Sequence, residues 1–138
     1  MPEHPAAGTV LGFDYGTKRI GIAVGQALTR TATPLTTLRT LHGEQPDWER
    51  IQALIREWKP GALVVGLPYN MDDTEAEIAP RVKRFARQLD GRFHLPVHLV
   101  DERLTSHEAE RRLGSGAEGD GRIDSLAAAL ILETWLND

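Results

Sequence analysis

Three carboxylates, Asp14, Glu102 and Asp124, stand where acidic side chains are able to act together. Asp14 lies near the end of an apolar run, "VLGFDY", which is followed by glycine, two cations and a second apolar run, "RIGIAV". An ionised group so close to a buried strand is costly unless it is paired or metal-bound. Glu102 closes "PVHLVDE", and Asp124 opens "DSLAAALILETWLN". On a helix, Asp124 shares a face with Ala127, Ala128, Ile131 and Trp135, the apolar face that must look toward a sheet, so its carboxylate is expected to point inward. Converging carboxylates raise one another's pKa unless a cation intervenes. Hard oxygen donors suit magnesium or manganese, and two such ions roughly 3.5 to 4 Å apart activate a water and stabilise the leaving oxygen in phosphodiester hydrolysis. Each acid also has a purely structural reading. Asp14 would be an Asx-turn residue closing a hairpin, Asp124 a helix N-cap, and Glu102 the partner of Arg103.

The elements that must position these acids follow from periodicity. "TVLGFDY" (9 to 15) and "RIGIAVGQ" (19 to 26) are β-branched and aliphatic around a turn at Gly16, which predicts a hairpin. "TPLTTLRT" (33 to 40) supplies a third antiparallel strand. In "PDWERIQALIREWK" (46 to 59), Trp48, Ile51, Leu54 or Ile55, and Trp58 recur at helical spacing, with Asp47 as N-cap and Pro60-Gly61 as the stop. "ALVVGLP" (62 to 68) has the continuous apolar character of a parallel strand covered on both faces. Ile78, Val82, Phe85 and Leu89 then form one helical stripe, with Thr74 and Glu77 fitting a capping box. Pro80 requires either a kink or a helix that starts there. "PVHLVDE" (96 to 102) is the next strand, "TSHEAERRLG" (105 to 114) a short helix capped by Thr105 and Glu108, "GSGAEGDG" a loop, and 124 to 137 the last helix. With right-handed crossovers this order gives an α/β fold, a five-stranded mixed sheet with three antiparallel strands followed by parallel ones and flanked by helices. That is the layout of the ribonuclease H-like fold.

At 138 residues with 41% hydrophobic content, the chain suits one domain with its own core, with residues 1 to 7 read as a disordered tail. There is no cysteine, which rules out disulfides and thiolate metal sites. No apolar stretch is long enough for a membrane span and the N-terminus is not a secretory signal, so a cytoplasmic location is expected. A net charge of −4 argues against general coating of nucleic acid but leaves room for a local basic surface.

Four segments, "FDYGTKRIGIAVG", "VVGLPYNMDDTEAE", "VDERLTSHEAERRL" and "IDSLAAALILETWL", together resemble, in order, the characteristic segments of the YqgF-type (RuvX) Holliday junction resolvase-like family. The resemblance spans residues 8 to 136. It implies a ribonuclease H-like fold and divalent-metal nuclease chemistry, with Asp14, Glu102 and Asp124 as the catalytic acids and metal ligands. It also implies one of two roles, cleavage of branched DNA or maturation of the precursor of 16S ribosomal RNA, between which the sequence does not choose. One departure is plain: relatives commonly carry lysines before the last aspartate, whereas "GSGAEGDGR" offers only Arg122 and adds Glu118 and Asp120.

Around these acids lie candidates for binding a nucleic-acid backbone. Lys18 and Arg19 follow Asp14 across a tight turn, and Arg103 follows Glu102; guanidinium groups suit bidentate phosphate contacts. A solvated turn is the alternative for the first two, and an internal pairing with Glu102 for the third. Arg81, Lys83, Arg84 and Arg87 give the second helix a basic surface able to track a strand, or simply a solvated face. Tyr69 and Asn70 follow the parallel strand at its functional end, where an aromatic is able to stack on a base and an amide to meet phosphate; a structural loop is the alternative. The five histidines form no metal spacing: His98 reads as a core or edge residue and His107 as a helix-surface one.

The leading expectation is therefore an endonuclease acting on structured nucleic acid with magnesium or manganese, two ions, and water as nucleophile. Without cysteine, and with no serine in evident partnership with a histidine, covalent catalysis is disfavoured. A symmetric four-way junction as substrate would call for a two-fold homodimer. Two other classes compete. One is a non-catalytic nucleic-acid-binding module using the basic helix. The other is an actin-like or sugar-kinase-like nucleotide-binding domain, whose phosphate loop "DYGT" resembles, although that architecture needs a second domain to enclose the nucleotide.

Overall fold

The computed structural model describes residues 8–70, 72, 74–102 and 122–138. Strands β1 (Thr9–Tyr15), β2 (Arg19–Gln26) and β3 (Thr31–Arg39) form an antiparallel meander, followed by a 3-10 turn at His42–Glu44 and helix α1 (Trp48–Trp58). Strand β4 (Ala62–Leu67), helix α2 (Ala79–Phe93), strand β5 (Val97–Asp101) and helix α3 (Arg122–Leu136) complete the described elements. The sheet order is β3-β2-β1-β4-β5, with β4 parallel to both β1 and β5. The mixed five-stranded sheet predicted from the sequence is thus present. Pro34 falls on β3, an edge strand, where its missing N–H is tolerated.

The strands' alternation divides two cores between the sheet's faces. Leu11 and Phe13 of β1, Ile20 and Ile22 of β2, and Leu63 and Val65 of β4 pack with Ile51 of α1 and Val82, Phe85 and Leu89 of α2. Val10, Ala23, Ala62 and Val64 meet Ala128, Ile131, Leu132 and Trp135 of α3 on the other side. The α3 face of the sheet is lined by small residues. A Cβ on Gly12 would lie 3.0 Å from the Leu132 Cβ, and one on Gly25 2.8 Å from a Leu132 methyl. Side chains removed from the sheet let α3 approach closely. Burial of β4 on both faces explains its unbroken apolar run.

Helix ends follow local chemistry. Asp47 caps α1 by accepting from the Arg50 N–H at 3.2 Å, and Lys59 ends the helix in the left-handed conformation. Pro80 resolves in favour of a start: α2 begins at Ala79 with proline in its first turn, where no intrahelical donor is needed. The capping box expected at Thr74 and Glu77 does not form a helix start. Thr74 instead closes an Asx-type turn, its N–H and hydroxyl both donating to Asp72 at 3.1 and 2.6 Å, while Asn70 and Thr74 pair across the turn. Helix α3 includes Arg122, so Asp124 sits in its first turn rather than at its N-cap. The helix expected over 105–114 lies outside the described residues, as do Arg103 and His107.

Among the described residues, no helix is long and apolar enough to cross a membrane.

Candidate active site

Asp14 is the penultimate residue of β1, and the pleat turns it toward α3, between Phe13 and Tyr15 that face the other way. Glu102 immediately follows β5, and its N–H donates to the Leu67 carbonyl at 3.1 Å, extending the parallel ladder past the strand's end. That anchor places Glu102 beside β4, where a Cβ on Gly66 would come within 2.8 Å of its Oε2. Asp124 arrives from α3, whose first turn lies directly on Gly21 of β2: a Cβ there would collide with the Asp124 carbonyl. Three distant stretches of sequence thus deliver acids to the carboxyl ends of β1 and β5. In open α/β sheets that is where sites form.

Asp14 and Glu102 are in contact as a hydrogen-bonded carboxyl pair. Burial pushes the Asp14 carboxyl well above the ordinary carboxylate range, and Glu102 first, then Asp124, add to the effect through their charges and the shared hydrogen bond. Glu102 is also raised, chiefly by burial, although accepting from Asp14 works in the opposite direction. Both carboxyls are therefore disposed toward protonation, Asp14 the more strongly. Asp124 is raised by burial and partly restored by Arg19, whose Nε lies 2.9 Å from Oδ2.

Two oxygens in this group are buried without a hydrogen-bond donor, Oε2 of Glu102 and Oδ2 of Asp124. The Arg19 contact is close but lacks hydrogen-bond geometry, so it neutralises Asp124 without saturating the oxygen. Among the described residues no three acidic or histidine side chains are already arranged to hold a metal ion. The donor set nevertheless fits a hard divalent cation: all the oxygens are carboxylate oxygens, two are orphaned, and the carboxyls crowd one another without a cation between Asp14 and Glu102 to offset their charge. Asp124, held by Arg19, would complete the same donor set if that contact opened.

The flanking candidates fall into different surroundings. Arg19 faces the carboxylates, while Lys18 is exposed and its carbonyl accepts from the Thr40 N–H at 3.0 Å. Arg122 is exposed, two residues before Asp124. Tyr69 is half-buried against the α2-side core, and the Asn70 amide donates to Thr74 Oγ1 at 2.9 Å and to the Glu75 carbonyl at 3.3 Å. Those contacts tie both residues into the loop after β4. Arg81 is paired with Glu44, and Lys83 with Glu75. His98 lies against Trp135, ring centroids 4.9 Å apart, as a packing residue of β5. Sequence reasoning overlooked Gly21 and Gly66, although glycine alternating with apolar residues in β2 and β4 marked a strand face approached by backbone.

A family described as "RuvX: Holliday junction resolvase" matches residues 8–138. A protein of Pseudomonas fluorescens (strain Pf0-1) named "Putative pre-16S rRNA nuclease" is 53% identical over 134 residues, covering 94% of this chain and 92% of that one. One of the same name from Azotobacter vinelandii is 55% identical over 131 residues, covering 92% of each. Among solved structures, T. thermophilus RuvC in complex with Holliday junction substrate superposes with a TM-score of 0.55 at 18% identity, covering 89% of this chain and 90% of that one. The yeast mitochondrial Holliday junction resolvase Ydc2 gives 0.55 at 13% identity, covering 98% and 80%. At such identities the likeness concerns the fold, which is ribonuclease H-like.

Proposed function

Because this chain belongs to the RuvX Holliday junction resolvase family, we propose that it is a divalent-metal-dependent endonuclease hydrolysing phosphodiester bonds in structured nucleic acid. The observation that carries this reading is the convergence of three carboxyls, Asp14 against Glu102 and Asp124 close enough to raise the Asp14 pKa, with orphaned buried oxygens on Glu102 and Asp124. Asp14, Glu102 and Asp124 would hold magnesium or manganese, which when bound supplies activation of a water and stabilisation of the leaving oxygen. With such an ion held between them, Asp14 and Glu102 would be ionised and present fixed negative charge. Arg19, displaced from Asp124, is placed to meet a phosphate oxygen, with Lys18 and Arg122 as neighbouring cations at the rim. Residues 8–138 act in this reading as one nuclease domain, in the cytoplasm. A homodimer would present two such sites to a two-fold-symmetric branched substrate.

Relatives above 50% identity carry the name of a pre-16S rRNA nuclease, which puts precursor ribosomal RNA first among substrates and branched DNA second. The test is cleavage by wild type and Asp14→Asn on a precursor 16S rRNA fragment, a four-way DNA junction and a linear duplex, each with magnesium, manganese or chelator. Cutting that requires metal and disappears in the variant is the expected result. Binding without cutting in any condition would replace the nuclease by a binding module.

A further inference from the structure

Tyr15 follows Asp14 in β1 and therefore emerges on the opposite face of the sheet, at the same strand end. There it borders a cleft of ≈ 280 Å³ lined by Glu44, Gln45, Arg81, Arg84 and Gln88. Arg81 and Arg84 stand three residues apart on α2, so both guanidinium groups lie on one face of the helix. Tyr15 is held against Phe85 with ring centroids 5.0 Å apart, which fixes the wall nearest β1. Glutamine amides at 45 and 88 add neutral donors. The chain as a whole carries a net charge of −4, yet this cleft gathers two arginines against one glutamate.

That glutamate is unusual. Glu44 adopts φ +62°, a left-handed conformation that is costly for a residue with a side chain, directly after Gly43 at φ +75°. The turn is closed by the Leu41 N–H donating to the Gln45 carbonyl at 2.7 Å. In this conformation the Glu44 carboxylate reaches Arg81, Oε2 to Nη1 2.6 Å, while Arg84 makes no ion pair with a described residue. The two partners are 53% and 57% exposed, so the pair is weak and exchangeable. A carboxylate on a guanidinium occupies the place that a phosphate oxygen takes.

We infer that this cleft is a second anion site, in which Arg81 and Arg84 bind a backbone phosphate of the nucleic-acid strand whose neighbouring segment lies at the carboxylates, and in which Glu44 is a built-in competitor for that phosphate. This rests on the nuclease reading and deepens it, since a strand passing over the end of β1 meets Asp14 on one face and the cleft on the other. The ligand is a phosphodiester within a strand rather than a free phosphate.

The experiment is equilibrium binding of a fluorescent precursor 16S rRNA fragment and a four-way DNA junction, in chelator so that nothing is cut, across a series of salt concentrations. Arg84→Ala is expected to weaken binding and to lower the slope of log affinity against log salt by about 1. Glu44→Gln is expected to strengthen binding about two- to fivefold, the worth of one exposed ion pair removed from competition. The opposite signs of two exposed substitutions separate the effect from any loss of fold. If wild type binds both probes and neither variant changes affinity, the cleft proposal fails while the nuclease reading stands. If wild type binds no nucleic acid, the nuclease reading fails with it. If Arg84→Ala weakens binding of inorganic phosphate alone, the cleft serves a free phosphate and the proposal is overturned.

Discussion

The Nε of Arg19 lies 2.9 Å from Oδ2 of Asp124, so the third acid of the site is held by a cation from the strand that begins just beyond Asp14. The pair is partly exposed, with the two side chains at 35% and 23%. Arg19 pulls the Asp124 pKa down against burial, which pushes it up. A fixed positive charge at that position repels any divalent ion approaching the same carboxylate, so the arginine and a metal would compete for Asp124.

Replacing Arg19 by Gln should therefore tighten manganese binding by about fivefold, the equivalent of ~1 kcal/mol of removed repulsion at a partly exposed site. Titration calorimetry of the two proteins reads this directly. Nucleic-acid affinity should fall in the same variant if Arg19 meets a phosphate as proposed, because the variant lacks its guanidinium. Unchanged or weaker manganese binding would mean that Arg19 organises Asp124 for the metal instead of competing with it.

The carboxylates also set a pH dependence whose sign can be worked out. Asp14, Glu102 and Asp124 are all raised above their ordinary values, with burial the leading cause for each. The folded protein then binds more protons than the unfolded chain in the window above the ordinary carboxylate pKa, so this contribution to stability is complete below that pKa and is lost as pH rises through the raised values. In chelator, the melting temperature should fall between pH 5 and pH 8. Asp14→Asn should flatten the fall and melt higher than wild type at pH 8, by about 3–5 °C for each kcal/mol of repulsion relieved in a chain of this size. Added manganese should stabilise wild type at pH 8 and do little for the variant. Parallel pH profiles for the two proteins would remove Asp14 from the account.

Much of this was legible in the sequence because the relevant signals are local. The two strands around Gly16, the Asp47 cap and the unbroken run of β4 each follow from a few adjacent residues. The convergence of Asp14, Glu102 and Asp124 was legible more weakly, through strand ends and the apolar face of α3. What escaped depends on long-range partners. Thr74 and Glu77 have capping-box spacing, but Asp72 and Asn70 bind Thr74 first and Pro80 supplies a better helix start. Arg19 looked like a solvent-facing turn residue or a phosphate ligand; its contact with a residue 105 positions later has no local signature. Glu44 carried no signal at all, since its role depends on a left-handed turn meeting α2.

Phe85 joins the α1 and α2 layer to the end of β1. Its ring lies 5.7 Å from Phe13 edge-on, 5.0 Å from Tyr15 and 5.6 Å from Trp48, and it is fully buried. Phe85→Ala should cost about 3–5 kcal/mol in urea denaturation, from lost transfer energy and the cavity left behind. Because Tyr15 rests on that ring, nucleic-acid affinity at the cleft should fall even where the variant is still fully folded. A cost below ~1 kcal/mol would show that the aromatic group is not packed as described.

Gly21 and Gly66 bring the acids together by absence, and their substitutions should separate packing from ligand geometry. A Cβ at Gly21 would run into the carbonyl of Asp124 and lie 2.8 Å from the Ser125 nitrogen, atoms of backbone that cannot rotate away. Gly21→Ala must therefore move the first turn of α3, and both stability and manganese affinity should drop. At Gly66 the neighbours are side chains, Cδ1 of Ile131 at 2.5 Å and Oε2 of Glu102 at 2.8 Å. Gly66→Ala should cost about 1–3 kcal/mol through overpacking and should weaken manganese binding by displacing Glu102. Adding Ile131→Val deletes the methyl that meets the new Cβ, so the double variant should regain most of the stability lost by Gly66→Ala, whereas its manganese affinity should stay low because the crowding of Glu102 persists. Urea denaturation and calorimetry on the same four proteins measure the two responses separately. If metal affinity returned together with stability, Gly66 would be serving only the packing of α3, and the position of Glu102 would owe nothing to it.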